Sequence, residues 1–148
     1  KIVLVGPGGL GAKRGPMQEM VRRKPEMSKA QILEAHKKNL GILMFANPSN
    51  IDDLSLYIQL QNTKHHRTKS RPISATDTLT KILSKQKTPL FVLWGEKDST
   101  VGPYLEDRMI ILRKVNPDVR FHVELNSGHW IMYETAERFN EILCNILN

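Results

Sequence analysis

Apolar residues follow two rhythms along the chain. Ile2–Val5 and Leu90–Trp94 are short unbroken runs without polar alternation. Such runs predict strands covered on both faces, as in a parallel sheet. Phe121–Leu125 predicts one more strand. Elsewhere the spacing is helical. Ile32, Leu33, His36, Leu40, Leu43 and Met44 mark a helix. Ser28 and Gln31 open it with a capping-box pattern, and Asn47–Pro48 stops it. A second helix runs through Leu54, Ile58 and Gln61 towards His65. Ser49 or Asn50 is its expected cap, with Asp52 and Asp53 favourable in its first turn. Pro72 interrupts. Asp77 then starts a short helix containing Leu79, Ile82 and Leu83. Leu105, Met109 and Leu112 predict a helix over Tyr104–Val115. Phe139, Ile142, Leu143 and Ile146 form the inward face of a last helix over Glu134–Leu147.

Strands separated by helices imply an α/β fold with a parallel sheet and right-handed crossovers. About three strands are expected. The helices of residues 28–86 are too many for one crossover, so they read as an inserted cap. The predicted division is a core of residues 1–16 and 87–148 with a helical cap or lid at 17–86.

Composition adds limits rather than direction. The chain has 148 residues, 40% hydrophobic and 25% charged, which suits one ordinary globular domain. No apolar stretch approaches the roughly 20 residues of a membrane helix, and no targeting segment is visible. The single cysteine excludes a disulfide within the chain and fits a reducing, cytoplasmic setting. The formal net charge of +7 is concentrated in Arg22–Lys24 and Lys64–Arg71, neither of which holds an aromatic residue. Without stacking partners these runs read as solvated helix ends, not a nucleic-acid surface. Lys1 abuts a core-like strand, which is unusual for a native start, so the chain is expected to be part of a longer one.

The first turn carries Gly6, Gly8 and Gly11 in a G-x-G-x-x-G arrangement. A dinucleotide site needs a helix at the third glycine and an acidic residue closing a second strand about 20 residues on. Here Gly15 and Pro16 oppose the helix, and Glu34 lies inside a different helix. A nucleotide-binding domain is therefore the weaker alternative. The segment Gly6–Pro16 is a loop leaving the carboxyl end of a strand, where clefts form in open α/β sheets.

The chemistry lies in the second half. Asp98 closes "LFVLWGEKD" and His129 lies in "FHVELNSGHW", each just past a predicted strand. An acid set against a histidine fixes its tautomer, and the histidine then takes a proton from a nucleophile. Gly128 lets the loop turn the ring into the cleft. Together "TPLFVLWGEKDSTVGP" and "VELNSGHWIMYETAERFNEIL" resemble the carboxyl-terminal part of an α/β-hydrolase. The "LVGPGG" turn and the Trp after the His are similar to those of meta-cleavage-product C–C hydrolases and related esterases. The resemblance implies that Asp98 is the triad acid and His129 the triad base. It also implies a serine-type hydrolase acting on a small molecule with an acyl or ketone carbonyl, without a cofactor or metal.

Two features depart from the pattern. The family's nucleophile lies on a G-x-S-x-G elbow upstream of the strand seen here as Ile2–Val5, and this chain has none. The expected state is an inactive piece that requires the amino-terminal half. The alternative is a catalytically dead fragment or binding module. A cap arginine used by the C–C hydrolases aligns near Asn62, with Arg67 a few residues on, so ester and C–C cleavage both stay open. Trp130 is expected either to wall the substrate pocket or to pack in the core. His122 reads as structural, His36 as a boundary residue and Cys144 as a buried thiol. His65 and His66 are adjacent and cannot share one helix face. Ser99 and Ser127 sit near the site but on no elbow. An unpaired strand edge at Ile2–Val5 predicts self-association, and a homo-oligomer stays open.

Overall fold

The computed structural model describes all residues from Lys1 to Asn148. Its elements follow the order β1 (Ile2–Val5), α1 (Lys29–Leu43), α2 (Asp53–Lys64), α3 (Ser70–Ser74), α4 (Thr78–Leu83), β2 (Leu90–Gly95), α5 (Leu105–Val115), β3 (Arg120–Glu124), α6 (Ile131–Glu134) and α7 (Ala136–Leu147). The three strands form one parallel sheet in the order β1-β2-β3, with Val3 opposite Phe91 and Val92 opposite Phe121. Parallel neighbours place their carboxyl ends on the same side, so the loops after all three strands meet at one edge. No helix is long and apolar enough to cross a membrane.

The central strand carries the core. Leu90, Val92 and Trp94 alternate onto one face and pack with Leu10, Val101, Leu112 and Val119. Leu83 and Leu79 of α4 join them, so this helix packs on the sheet. Leu40, Phe45 and Ile51 form a second, smaller cluster where α1 turns towards α2. The opposite face of the sheet is covered less well. Phe139, Ile142, Leu143 and Ile146 of α7 are only half-buried, and a groove of about 780 Å³ separates Ile142 and Ile146 from Phe91 and Leu93. Cys144 is exposed on the outer side of α7, contrary to the expected buried thiol. It stands one residue beyond Leu143, which at helical spacing turns it away from the sheet.

Local signals placed most helix ends. Ser28 accepts from the Gln31 N–H while the Gln31 side chain accepts from the Ser28 N–H, which completes the predicted capping box. The cap of α2 is Asp52, not Ser49 or Asn50. Pro48–Asn50 winds a separate 3₁₀ turn capped by Asn47, which consumes those residues, and Asp52 forms a reciprocal pair with Ser55. Pro72 lies inside the first turn of α3, where a missing N–H costs nothing, so it does not break the chain there. His36 is buried at 2% exposure with both ring nitrogens unpaired, not at the boundary. Burial, with the nearby Arg23 charge, lowers its pKa and keeps it neutral.

With β1 at the sheet edge, its outward N–H and C=O groups lack a strand partner. Such an edge invites pairing with another chain. We expect the 148-residue chain to self-associate as its concentration rises. A monomer in sedimentation at all concentrations, with a clean two-state melt, would contradict this.

Candidate functional site

Three strand tips build the site. Gly6 follows β1, Asp98 lies three residues past β2, and His129 follows β3. The loops after β2 and β3 run side by side, with the Glu96 N–H donating to Glu124 and the Lys97 N–H to Ser127. Residues distant in sequence are thereby fixed as neighbours.

His129 Nδ1 lies 2.8 Å from Asp98 Oδ2. The acid side chain is 1% exposed and the imidazole 26%, so the acid is sealed beneath a ring that reaches solvent. Burial pushes the Asp98 carboxyl up. The hydrogen bond and charge of His129, with the Thr100 hydroxyl and N–H on Oδ1, outweigh burial and bring the carboxyl below its usual range. An ionised carboxylate only accepts, so Nδ1 carries the proton and Nε2 is the free nitrogen. Gly6 stands against the same ring. A Cβ there would lie 2.8 Å from His129 Cε1, and its φ of +54° favours glycine. A cleft of about 300 Å³ opens beside His129, lined also by Gly6, Leu10, Arg14, Met44 and Ser74. The larger groove under α7 lies on the sheet face, away from this chemistry.

The pKa shift carries a stability consequence. A carboxyl lowered in the folded state contributes stability above its unfolded pKa of about 4, and loses it as pH falls through the lower folded value. We expect acid unfolding below about pH 4 to depend in part on Asp98, and Asp98→Asn to flatten that limb. Equilibrium denaturation at several pH values measures it. An unchanged acid limb would contradict the assignment.

The glycine turn does not cradle phosphate. The Gly9 N–H donates to Ser74 O and the Gly11 N–H to Thr76 O, while Gly9 O accepts from the Leu79 N–H. These groups dock the loop on α3 and α4, and no helix begins at Gly11. The fingerprint match therefore reflects loop packing.

Curated relatives align along almost the whole chain. A 2-hydroxy-6-oxo-6-phenylhexa-2,4-dienoate hydrolase of Burkholderia cepacia is 29% identical over 99% of this chain and 54% of its own length. A 2-hydroxy-6-oxononadienedioate/2-hydroxy-6-oxononatrienedioate hydrolase of Comamonas testosteroni is 24% identical over the same shares. A crystal structure described as an aryl esterase from Burkholderia cenocepacia superposes with a TM-score of 0.72 at 23% identity, covering 98% of this chain and 53% of that one. The meta-cleavage product hydrolase of Pseudomonas fluorescens IP01 superposes with a TM-score of 0.63 at 19% identity, covering 99% and 56%. The fold is that of the carboxyl-terminal part of an α/β-hydrolase. No family model matches the chain. The chain spans about half the length of the curated relatives it matches.

Other expected residues of this α/β-hydrolase segment fall in different places. Trp130 packs with Phe45 and Tyr133, ring centroids 5.8 and 6.0 Å away, over the smaller core. It does not line the cleft. His122 bonds Glu124 at 2.7 Å on β3. Ser99 Oγ donates to Leu43 O, and Ser127 Oγ, fully buried, donates to Glu124 O. His65 and His66 are exposed, as are both basic runs.

Sequence reasoning missed Glu134. Its carboxylate accepts from the N–H groups of Gly128, Ala46 and Asn47 at 2.7, 3.0 and 2.8 Å, and from Asn50 Nδ2. One acid thus clamps the loop bearing His129 to the end of α1. No motif announces it, because three of its partners, Ala46, Asn47 and Asn50, lie more than eighty positions away. Glu134→Ala should cost about 2 kcal/mol or more, since it strands partly buried N–H groups. Denaturant midpoints measure it, and a change below about 0.5 kcal/mol would contradict the clamp.

Proposed function

We propose that the chain supplies the acid and base of a serine-type hydrolase, with Asp98 as the orienting acid and His129 as the general base. The alcohol that attacks comes from outside these 148 residues, on an elbow of the kind the fold uses. The substrate is a small molecule with an ester or ketone carbonyl. What supports the reading is the 2.8 Å contact of a sealed carboxylate with the imidazole of His129, a residue that borders a cleft.

In this reading His129 Nε2 removes the alcohol proton as the oxygen bonds to the carbonyl carbon. Asp98 stabilises the imidazolium without taking its proton. The imidazolium then protonates the leaving group as the carbonyl re-forms and its bond breaks. Water, deprotonated by the same nitrogen, releases the acyl group in a second round. The helices of residues 17–86 act as a lid over the cleft, with α4 anchoring their return to the sheet. Trp130 contributes packing under that lid.

The test joins the chain to the amino-terminal half of the Burkholderia cepacia relative and follows hydrolysis of p-nitrophenyl acetate. Activity that requires His129 supports the reading. A folded fusion without activity would favour a chain that keeps the fold and has lost the chemistry.

A further inference from the structure

Two loops meet at the carboxyl end of α1. The last carbonyls of a helix have no partner within it, so a neighbour must supply the donor. Here the donors are the residues that follow the acid and the base. Ser99, next to Asp98, donates its hydroxyl to Leu43 O at 3.1 Å. Trp130, next to His129, donates its backbone N–H to Met44 O at 2.9 Å. Leu43 and Met44 also border the cleft beside His129. The base loop has a second hold on this helix end, through the Glu134 carboxylate that accepts from Gly128, Ala46 and Asn47. The turn that bears the acid makes one hydrogen bond to α1, and it comes from the Ser99 hydroxyl.

We propose that Ser99 is a positioning residue that ties the acid of the proton relay to the end of the lid helix α1, so that acid and base keep their register only while that helix is seated. The inference rests on reading Asp98 and His129 as acid and base and residues 17–86 as a lid. Three contacts close a ring: Asp98 Oδ2 with His129 Nδ1, the Trp130 N–H with Met44 O, and Ser99 Oγ with Leu43 O. Thr100 fixes Asp98 Oδ1 within its own turn, so the carboxylate goes wherever that turn goes. The 2.8 Å bond to the imidazole therefore depends on both loops keeping their places. Without the Ser99 bond the base still rides on α1 and the acid does not. A shift of α1 then moves the ring against a carboxylate that stays behind. With the bond in place, both loops follow the helix. A substrate that fills the cleft touches Leu43 and Met44 and presses the helix end onto its two donors. The relay is then best aligned when the cleft is occupied.

The test compares Ser99→Ala with Ser99→Thr, which keeps the hydroxyl. In the fusion with the amino-terminal half, Ser99→Ala should lower kcat on p-nitrophenyl acetate by about tenfold or more with KM little changed, and Ser99→Thr should stay within about twofold of the parent. In the 148-residue chain, nuclear magnetic resonance reads the proton held between His129 Nδ1 and Asp98, assigned by its loss in His129→Gln. That resonance should be sharp in the parent and in Ser99→Thr, and broadened by exchange with water in Ser99→Ala. A serine that only supports the fold would lower the melting temperature of Ser99→Ala and leave kcat and the resonance unmoved, which would overturn the proposal. So would a threonine variant that behaves like the alanine one, or a loss of activity carried by KM alone. Loss of folding in Ser99→Ala would also overturn it, by making Ser99 a support of the fold alone. A resonance that responds in an inactive fusion would support the coupling and overturn the hydrolase reading, so the two fail separately. Absence of the resonance in the parent would remove the pair and the coupling together.

Discussion

His129→Ala in the reconstituted enzyme should lower ester hydrolysis by about three to four orders of magnitude, the range in which triad members act as a unit. The expectation follows from geometry: Nε2 is the nitrogen left free when Nδ1 is committed to Asp98. Asp98→Asn should cost about as much, for a different reason. The amide offers Oδ1 or Nδ2 where a carboxylate accepted three hydrogen bonds. Its N–H₂ facing Nδ1 would force the ring into the tautomer that presents a proton, not a lone pair, to the cleft. The substrate KM should change little in either variant, because both losses fall on steps after binding. The decisive measurement is kcat on p-nitrophenyl acetate with circular dichroism confirming the fold. A loss below tenfold in either variant would remove the pair from the mechanism.

The largest effect on stability should come from two glycines with no left-handed backbone. A Cβ on Gly95 would meet the carbonyl oxygens of Gly128 and Ser127, and one on Gly128 would lie 2.5 Å from Met44 O and 2.6 Å from Ala46 N. All are backbone atoms and cannot swing aside. The end of β2, the loop bearing His129 and the end of α1 are stacked at contact distance with no room for a methyl group. Gly95→Ala and Gly128→Ala should each cost about 4 kcal/mol or more, or abolish folding. Gly41→Ala is the control. Its nearest neighbour would be 3.6 Å away in a helix interior, so it should be neutral or gain up to about 1 kcal/mol. Chemical denaturation of the three variants decides it. A Gly128→Ala protein as stable as the parent would mean that the loops do not pass this closely.

Glu134 and Gly128 show why this edge of the sheet is sensitive. The same loop is held from above by the carboxylate on the Gly128 N–H and from below by the close passage over Gly95. Its next residue places the base. Rigid placement of a loop side chain needs such double anchoring, because the loop has no ladder of its own.

Much of this was legible in the residues themselves. Unbroken apolar runs located β1 and β2, because a strand buried on both faces has no polar positions. The Ser28–Gln31 box located α1, because capping is chemistry between residues three apart. Asp98 and His129 stood out by their position just past strands that a parallel sheet must align. What failed was local competition and distance. Asn47–Asn50 formed its own turn and moved the α2 cap to Asp52. The side of α7 that Cys144 would face depends on where that helix meets the sheet.

Sequence by itself determined the order of strands and helices and the two residues of the candidate proton relay, since periodicity and strand-end placement are properties of neighbouring positions. Only the tertiary structure decided that Gly6 presses on the imidazole, that Glu134 clamps its loop, that Trp130 turns into the smaller core and that Arg108 reaches the Lys13 carbonyl. Each of these is a contact between segments far apart in the chain, and its distance is set by how closely packed loops pass one another.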